Sequence, residues 1–262
     1  MFFKNVCTIF KREFKAYFYT PLAYVFIGMF VFFMGIMFNS FLQNYMNYMQ
    51  ESMYQTSAQI TIDRLAEAFY ANMHVILMIM IPFFTMRLFT SESSQGTFSL
   101  LMTSPIRTVE IVVAKFAGAA TIVLIMLAMT VIFPIFLFAF SDKTGPSPGP
   151  DMGVVGATYL GLVLISFTYV AIGTFWSSVT ESQLIALVFT FFNIFFLWLL
   201  SLWAQSTQGG VQATLQQMAV NEQFQSFARG TLELKSFVIF LSYIFFYLFL
   251  TNRSIESRAW RS

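Results

Sequence analysis

Six long runs of mostly apolar residues constrain the fold of this chain more than any other feature of its sequence. The runs cover residues 22–42, 68–86, 112–140, 153–176, 184–203 and 235–251. A helix of about 20 apolar residues is long enough to cross the hydrocarbon core of a bilayer. Strands with open edges leave backbone groups unsatisfied in lipid, and the sequence lacks the alternation of a membrane barrel. The runs therefore predict an all-α membrane protein with six transmembrane helices.

The composition agrees with a membrane location. Hydrophobic residues make up 58% of the 262 residues and charged residues only 10%, whereas a soluble domain carries about a quarter charged residues. The net charge of +2 is too small to indicate nucleic-acid binding. The one cysteine, Cys7, excludes a disulfide within the chain. We find no fixed-period repeat and expect residues 1–262 to form a single transmembrane domain.

The distribution of basic residues predicts the orientation, because loops rich in Lys and Arg stay on the cytoplasmic side. If the N-terminus is cytoplasmic, only four of the 14 Lys and Arg residues fall on the outer side. These four are Arg64, Lys143, Arg229 and Lys235. We therefore expect both termini and the loop between the second and third spans to be cytoplasmic.

Residues 1–20 precede the first span and repeat apolar side chains at helical spacing. The apolar positions are Phe3, Val6, Phe10, Phe14 and Tyr17, with basic residues on the opposite face. This pattern predicts a basic amphipathic helix that lies at the membrane interface. Thr20 and Pro21 then turn the chain into the bilayer. Two interpretations stay open, a topology anchor and an element that transmits motion.

Several classes of function need residues that this sequence lacks. None of the 13 glycines is followed by lysine, so an ATP-binding P-loop is absent. The single histidine, His74, cannot supply the ligands of a zinc protease, and no nucleophile motif accompanies it. Met46, Met49 and Met53 could bind Cu(I), but flexible packing is the better interpretation of abundant methionine. We expect no catalytic, cofactor or metal site on this chain.

The interiors of the spans carry neutral polar residues, which disfavours proton-coupled transport. A sodium site built from carbonyl and hydroxyl oxygens stays an open alternative. Thr190 and Asn193 of the fifth span are our candidates for lining a transport pathway. We expect the energy for any transport to come from a partner.

The segment 87–111 is unusual because it is polar and lies between two nearly uncharged runs. Phe98, Leu101, Met102 and Pro105 are spaced as one face of a short helix, which Pro105 ends. Glu110 then stands near the positive end of the next helix. A short helix with one apolar face fits a groove on a soluble partner. The alternative is a loop that only reconnects two spans.

The stretch "ESSQGTFSLLMTSPIRTVEIVVAKF" resembles the ABC-2 class of ATP-binding cassette (ABC) transporter permeases. In that class, the loop that joins the second and third helices contains a set of residues in a fixed order. The same order is present here: Glu, Gly-Thr, Leu-Leu, Ser-Pro, Glu and Lys. The stretches "FYTPLAYVFIGMFVFFMGIMF" and "FQSFARGTLELKSFVIFLSYIFFYLFLTNRSIESRAW" extend the resemblance over nearly the whole chain. The second of these is similar to the gliding-motility-associated branch of the class.

The resemblance implies a permease with six helices, an interfacial N-terminal helix and a cytoplasmic coupling helix in the first cytoplasmic loop. It implies a location in the bacterial inner membrane. It also implies a second permease copy, identical or related, and two separate ATPase subunits that bind ATP and Mg. The positions that match the coupling segment are Glu92, Gly96, Thr97, Leu101, Thr103, Pro105 and Glu110. Phe98, Leu101 and Met102 would pack against the ATPase or against the base of the membrane domain.

Two further patterns lie on the outer half. Residues 204–234 form an extracytoplasmic segment before the last span, and permeases of this class often place short re-entrant helices there. A loop lying on the membrane is the other interpretation. Gly153, Ala157 and Gly161 form a stripe of small residues on the fourth span. Such a stripe serves packing within one bundle more often than it serves a dimer contact.

The sequence thus predicts the transmembrane subunit of an ATP-driven exporter that also contacts membrane lipid. The alternative is a membrane subunit that transmits ATP-driven motion to the cell envelope and moves no solute. A wide hydrated cavity lined by the second and fifth helices would favour transport. An intramembrane enzyme is the third hypothesis, and it fails for lack of catalytic residues.

Overall fold

The computed structural model describes residues 2–52, 62–94, 107–140, 151–206 and 210–259, and every regular element in these ranges is a helix. The described elements, in chain order, are α1 (Phe2–Tyr19), α2 (Pro21–Ser52), α3 (Ile62–Thr85), α4 (Thr90–Ser94), α5 (Thr108–Thr130), α6 (Ile132–Phe140), α7 (Met152–Val179), α8 (Gln183–Ser206), α9 (Gly210–Met218), α10 (Val220–Ala228) and α11 (Leu234–Ala259).

Six helical stretches in the described residues are long and apolar enough to cross a membrane, which confirms the predicted number. They are Ala23–Asn44, Glu67–Glu92, Thr108–Ala139, Met152–Val179, Gln183–Ala204 and Leu234–Arg258, named spans 1 to 6. Spans 2 and 6 extend farther than predicted because their last turns carry polar and charged residues at the membrane boundary. The protein is therefore an all-α, multi-pass membrane protein.

Span 3 is interrupted one turn before Pro134. Helix α5 ends at Thr130, and the Val131 amide donates to the Ala128 carbonyl in a tighter turn before α6 begins. The proline ring has no N–H and clashes with the carbonyl four residues earlier, which belongs to Thr130. The interruption of span 3 therefore has a local physical cause.

Helix α7, which forms span 4, lies at the centre of the bundle. It packs against α3, α5, α8, α10 and α11, and most of its residues are buried. Small residues permit this crowding. A β-carbon at Gly173 would lie only 2.0 Å from the Thr85 hydroxyl of α3. Spans 1 and 6 instead expose large apolar side chains such as Phe32 and Phe245, as lipid-facing helices do.

The predicted amphipathic helix is present as α1. Its basic side chains Lys4, Lys11 and Lys15 are exposed, and its half-buried stripe faces α5. Thr20 ends the helix, and its hydroxyl donates to the Ala16 carbonyl. Pro21 then opens α2, at a first-turn position where a missing N–H costs nothing. Helix α1 is thus packed into the bundle as well as exposed on its basic side.

Candidate functional site

Lys115 is the buried centre of an ion cluster at the end of the bundle that carries α1. The cluster consists of Arg12, Glu13, Glu92 and Lys115. The Lys115 ammonium lies 3.2 Å from Glu13 and 3.0 Å from Glu92, and its side chain is 2% exposed. The guanidinium of Arg12 lies 3.1 Å from Glu13 and 3.4 Å from Glu92. Two cations and two carboxylates therefore balance one another.

The Lys115 ammonium has two further contacts besides the carboxylates. It donates to the Leu88 carbonyl at 2.7 Å, and it lies 5.2 Å from the centre of the Phe89 ring. A buried ammonium needs such compensation because the loss of its hydration costs several kcal/mol. These contacts join α1, the end of span 2 and the start of span 3 at one charge.

Gly118 lets α1 come close enough for the cluster to form. It stands one helical turn after Lys115, and a β-carbon there would lie 3.3 Å from the Glu13 β-carbon. A larger residue would push α1 outward and pull the Glu13 carboxylate away from Lys115. The stretch "AKFAGAA" therefore contains both the charge and the small residue that admits its partner.

A second contact joins α1 to the first turn of α5. The Asn5 amide donates to the Glu110 carboxylate at 3.0 Å, and the backbone N–H of Arg107 donates to the same oxygen at 3.4 Å. Glu110 is buried, and its charge lies at the positive end of the helix dipole. The contacts of Asn5 and Glu13 succeed one another along α5, so α1 runs beside the first turns of span 3.

The start of span 3 also contacts the end of span 6. The Thr108 hydroxyl donates to Glu256 at 3.4 Å, and the Asn252 amide donates to the same carboxylate oxygen at 2.9 Å. Arg253 pairs with Glu256 at the surface. The N-terminal end of α5 is therefore held both by α1 and by α11.

The turn after α3 is held by span 4. The Ser177 hydroxyl accepts from the backbone N–H groups of Phe89 and Thr90 at 2.9 and 3.4 Å, and donates to the Met86 carbonyl at 3.3 Å. Helix ends leave backbone groups without partners inside the helix, and one hydroxyl satisfies three of them here. Residues 86–90, which precede the undescribed part of the predicted coupling segment, are thereby held against span 4.

The predicted coupling positions fall into two groups. Glu92 and Glu110 are described, and both lie in the contacts above on either side of residues 95–106. The remaining seven lie outside the described residues, and their coupling function stays a prediction. They are Gly96, Thr97, Phe98, Leu101, Met102, Thr103 and Pro105.

The two pathway candidates make contacts within the chain. Thr190 is buried, and its hydroxyl donates to the Ala186 carbonyl of its own helix. The Asn193 amide oxygen accepts from the Tyr247 hydroxyl at 2.9 Å, which joins spans 5 and 6. Their assignment to a pathway stays a prediction.

A cavity of about 470 Å³ with both polar and apolar lining residues opens at the opposite end of the bundle, between span 2, span 5 and α10. Its lining includes Glu67, Asn72, His74, Trp198 and Asn221. The lining mixes amide, carboxylate and aromatic groups. Residues of spans 2 and 5, the two helices that the sequence analysis associated with transport, both line this cavity.

Helix α10 is inserted into the bundle below this cavity. The His74 ring and the Tyr169 hydroxyl form a buried hydrogen bond of 2.6 Å, and the Phe224 ring lies 5.2 Å from the imidazole. A β-carbon at Gly161 would lie 2.6 Å from the Phe227 β-carbon. Gly161 stands nine residues into α7, about 13 Å along the helix. Residues 204–234 therefore include a helix packed among the spans, and Gly161 of the small-residue stripe packs against it.

Within the described residues, the histidine, cysteine and carboxylate side chains form no group of three that could hold a metal ion. His74 bonds to a tyrosine rather than to a nucleophile and carboxylate. The ion cluster around Lys115 joins α1 to spans 2 and 3, because its ion pairs connect all three. Its geometry suits mechanical coupling between α1 and the two spans.

Arg12, Glu13 and Lys115 are the residues of this cluster that the sequence analysis did not single out as site residues. The third run was treated as nearly free of charge, although Lys115 lies within it. A charge inside an apolar run needs a partner, and that signal could have prompted the search. The sequence does not show which of the acidic residues is the partner, because Glu13 is 102 positions away.

An all-helical, multi-pass membrane protein is the class that this fold defines. A comparison with protein families matches residues 7–261 to the family described as ABC-2 family transporter protein. The chain belongs to this family of ABC transporter membrane components, which are not ATPases. The match does not support the gliding-motility branch that the C-terminal stretch resembled. No curated protein matches the chain.

Proposed function

We propose that the chain is the membrane subunit of an ATP-driven exporter in the bacterial inner membrane. In this proposal it pairs with a second permease copy, and two separate ATPases bind ATP and Mg and act through residues 87–111. Membership of the ABC-2 family supports a transmembrane ABC subunit. The finer statements are inferences from the arrangement of the described residues and from the resemblance of the loop.

The observation that carries the proposal is the ion cluster around Lys115. A force applied to residues 95–106 reaches the chain at Glu92 on one side and at Arg107 on the other. Glu92 is paired with Lys115, and the Arg107 amide shares Glu110 with Asn5. Spans 2 and 3 and helix α1 would therefore move together rather than separately. This arrangement supports α1 as an element that transmits motion.

Transport is favoured over pure transmission of motion by the outer cavity. The cavity of about 470 Å³ is lined by span 2, span 5 and α10 and carries polar side chains. A subunit that only relays force to the envelope needs no polar chamber between these helices. The mechanotransmitting alternative is therefore the second candidate, and the cargo of the exporter is left open.

Co-purification with a candidate ABC ATPase tests the proposal. We expect the wild type to retain the ATPase, and Leu101→Glu and Gly96→Trp to release it, because both alter the proposed docking helix. Leu232→Glu is the control, since Leu232 is exposed outside the predicted coupling segment. Normal retention by both loop variants would exclude this segment as the docking element.

Coupling is tested separately from docking. In proteoliposomes that contain the intact complex, we expect Lys115→Met to leave the ATPase bound but to reduce permease-dependent stimulation of ATP hydrolysis at least about tenfold. Lys15→Met is the matched control, because Lys15 is exposed on the same helix as Glu13. Full stimulation in Lys115→Met would show that the ion cluster does not transmit the signal.

A further inference from the structure

A cavity of about 370 Å³ lies between α1 and the adjoining ends of spans 1 and 2. The four residues of the ion cluster around Lys115 line it, together with the exposed Arg87. Phenylalanine side chains line another part of it. The function proposed above does not use this cavity, so we asked which ligand its walls would bind.

The charges around the cavity leave one positive charge uncompensated. Arg12 and Lys115 are balanced by Glu13 and Glu92, as described above. Arg87 also lines the cavity and is exposed, and no carboxylate among the described residues lies within ion-pair distance of it. The cavity is therefore suited to a ligand that carries a single negative charge.

The apolar wall indicates that the ligand also has a hydrocarbon part. The Phe26 ring lies 5.7 Å from Phe83 and 4.9 Å from Phe84. Phe83 is exposed and Ala23 is buried, and both line the cavity. A free phosphate would gain nothing from these rings, whereas an acyl chain would bury apolar surface against them.

The Tyr17 phenol adds a hydrogen-bond donor beside the charge. It lines the cavity together with Glu13 and Arg87. Burial, reinforced by the Glu13 carboxylate, raises the pKa of Tyr17 above its usual range, although Arg87 opposes the shift. The phenol therefore keeps its proton and can donate to a phosphate oxygen.

We propose that this cavity binds the headgroup and first acyl carbons of one anionic phospholipid, with the phosphate at Arg87 and the chain against Phe26, Phe83 and Phe84. Ligand cavities begin at about 300 Å³, so the volume admits a headgroup while the rest of the lipid stays in the bilayer. The bound lipid would lie directly over the Lys115 cluster and under α1, where it becomes part of the packing of that helix.

Native mass spectrometry of the full chain in detergent tests the proposal, with phosphatidylglycerol as the probe and phosphatidylcholine as the zwitterionic comparison. We expect the wild type to retain one phosphatidylglycerol in preference to phosphatidylcholine. Arg87→Gln should weaken retention about fivefold, since one basic contact to an anionic lipid is lost. Lys15→Gln removes an exposed charge from the neighbouring helix face and should leave retention unchanged.

A second variant tests the cavity without changing any charge. Ala16 is exposed and lines the cavity, so Ala16→Trp can fill the space while leaving the packing of α1 intact. We expect this variant to keep the wild-type Tm and to lose phosphatidylglycerol at least about fivefold. Equal losses in Arg87→Gln and Lys15→Gln would overturn the proposal in favour of diffuse attraction. Full competition by glycerol 3-phosphate would overturn it in favour of a soluble anion site.

Discussion

Lys115 shows how a single residue organises one end of this protein. Its charge is buried two turns into span 3, and its contacts come from α1, from Glu92 and from the Leu88 carbonyl. Ion pairs at exposed surfaces contribute little. Here the lysine is enclosed. Removal of either the lysine charge or the carboxylate charges therefore leaves an uncompensated charge in a region of low dielectric constant. The stability of the α1 end therefore depends on keeping the cluster complete.

Replacement of Lys115 by methionine should destabilise the protein by about 3 kcal/mol, because Glu13 and Glu92 would lose their buried cation and keep only the exposed Arg12 as a partner. Thermal unfolding in detergent measures the loss. Adding Glu13→Gln and Glu92→Gln to the same variant should restore most of the Tm. If the single variant unfolds at the wild-type temperature, the cluster does not contribute to stability.

Gly173 is the second position at which one atom decides packing. Ala at this position would place a β-carbon 2.0 Å from the Thr85 hydroxyl, so α3 and α7 must separate. We expect Gly173→Ala to cost about 2 kcal/mol of unfolding free energy, as overpacking does. Gly156→Ala on the same helix is the matched control, since its new methyl group meets nothing within 4 Å. Similar Tm values for the two variants would contradict the close helix contact.

At the scale of elements, two amphipathic segments become part of the bundle. Helix α1 packs beside the first turns of α5, and α10 inserts between the spans at the other end. Both are short relative to the spans, and an isolated helix of nine residues has little stability in water. Tertiary packing therefore holds α10 in place, chiefly through Phe224 and Phe227, which are almost fully buried.

Truncation of Phe227 to alanine should release α10. The side chain is 1% exposed and packs against Gly161, so we expect a loss of about 4 kcal/mol. Hydrogen exchange of residues 220–228 should rise with the fall in Tm. Phe246→Ala removes the same atoms from a site that is 52% exposed and should leave both readouts near wild type. Unchanged exchange in Phe227→Ala would show that other contacts hold the helix.

At the scale of the whole molecule, six spans place the N-terminal helix, the loop after span 2 and the C-terminal end on one side of the membrane. An even number of crossings requires this arrangement for the two ends. The charge distribution predicts that this side is the cytoplasm, since the loops on the other side hold only four of the 14 basic residues. In that orientation the predicted ATPase docking segment would face the compartment that contains ATP.

Cysteine labelling tests this topology. Cys7 is exposed, so a Cys7→Ser background is needed for introduced cysteines. In that background, a membrane-impermeant maleimide added to intact cells should label Glu233→Cys and should not label Ser257→Cys. Inverted vesicles should give the reverse pattern. If both positions are labelled from the same side, span 6 does not cross the membrane.

The sequence by itself determined the class of fold, the number of spans and the family. These follow from local properties: the length of an apolar run is compared with bilayer thickness, and a motif is read over adjacent residues. The bend before Pro134 and the amphipathic pattern of α1 are local in the same sense, because a proline ring and a helical period act within one or two turns.

Only the tertiary structure decided which distant groups meet. Lys115 and Glu13 are 102 residues apart, and His74 and Tyr169 are 95 apart. No periodicity within a helix specifies which of several acidic or hydroxyl groups will be its neighbour. Close approaches at Gly118, Gly161 and Gly173 admit some pairs and exclude others, because packed helices leave no room for an extra carbon. The ion cluster, the inserted α10 and both cavities arise because helix packing brings these distant residues together.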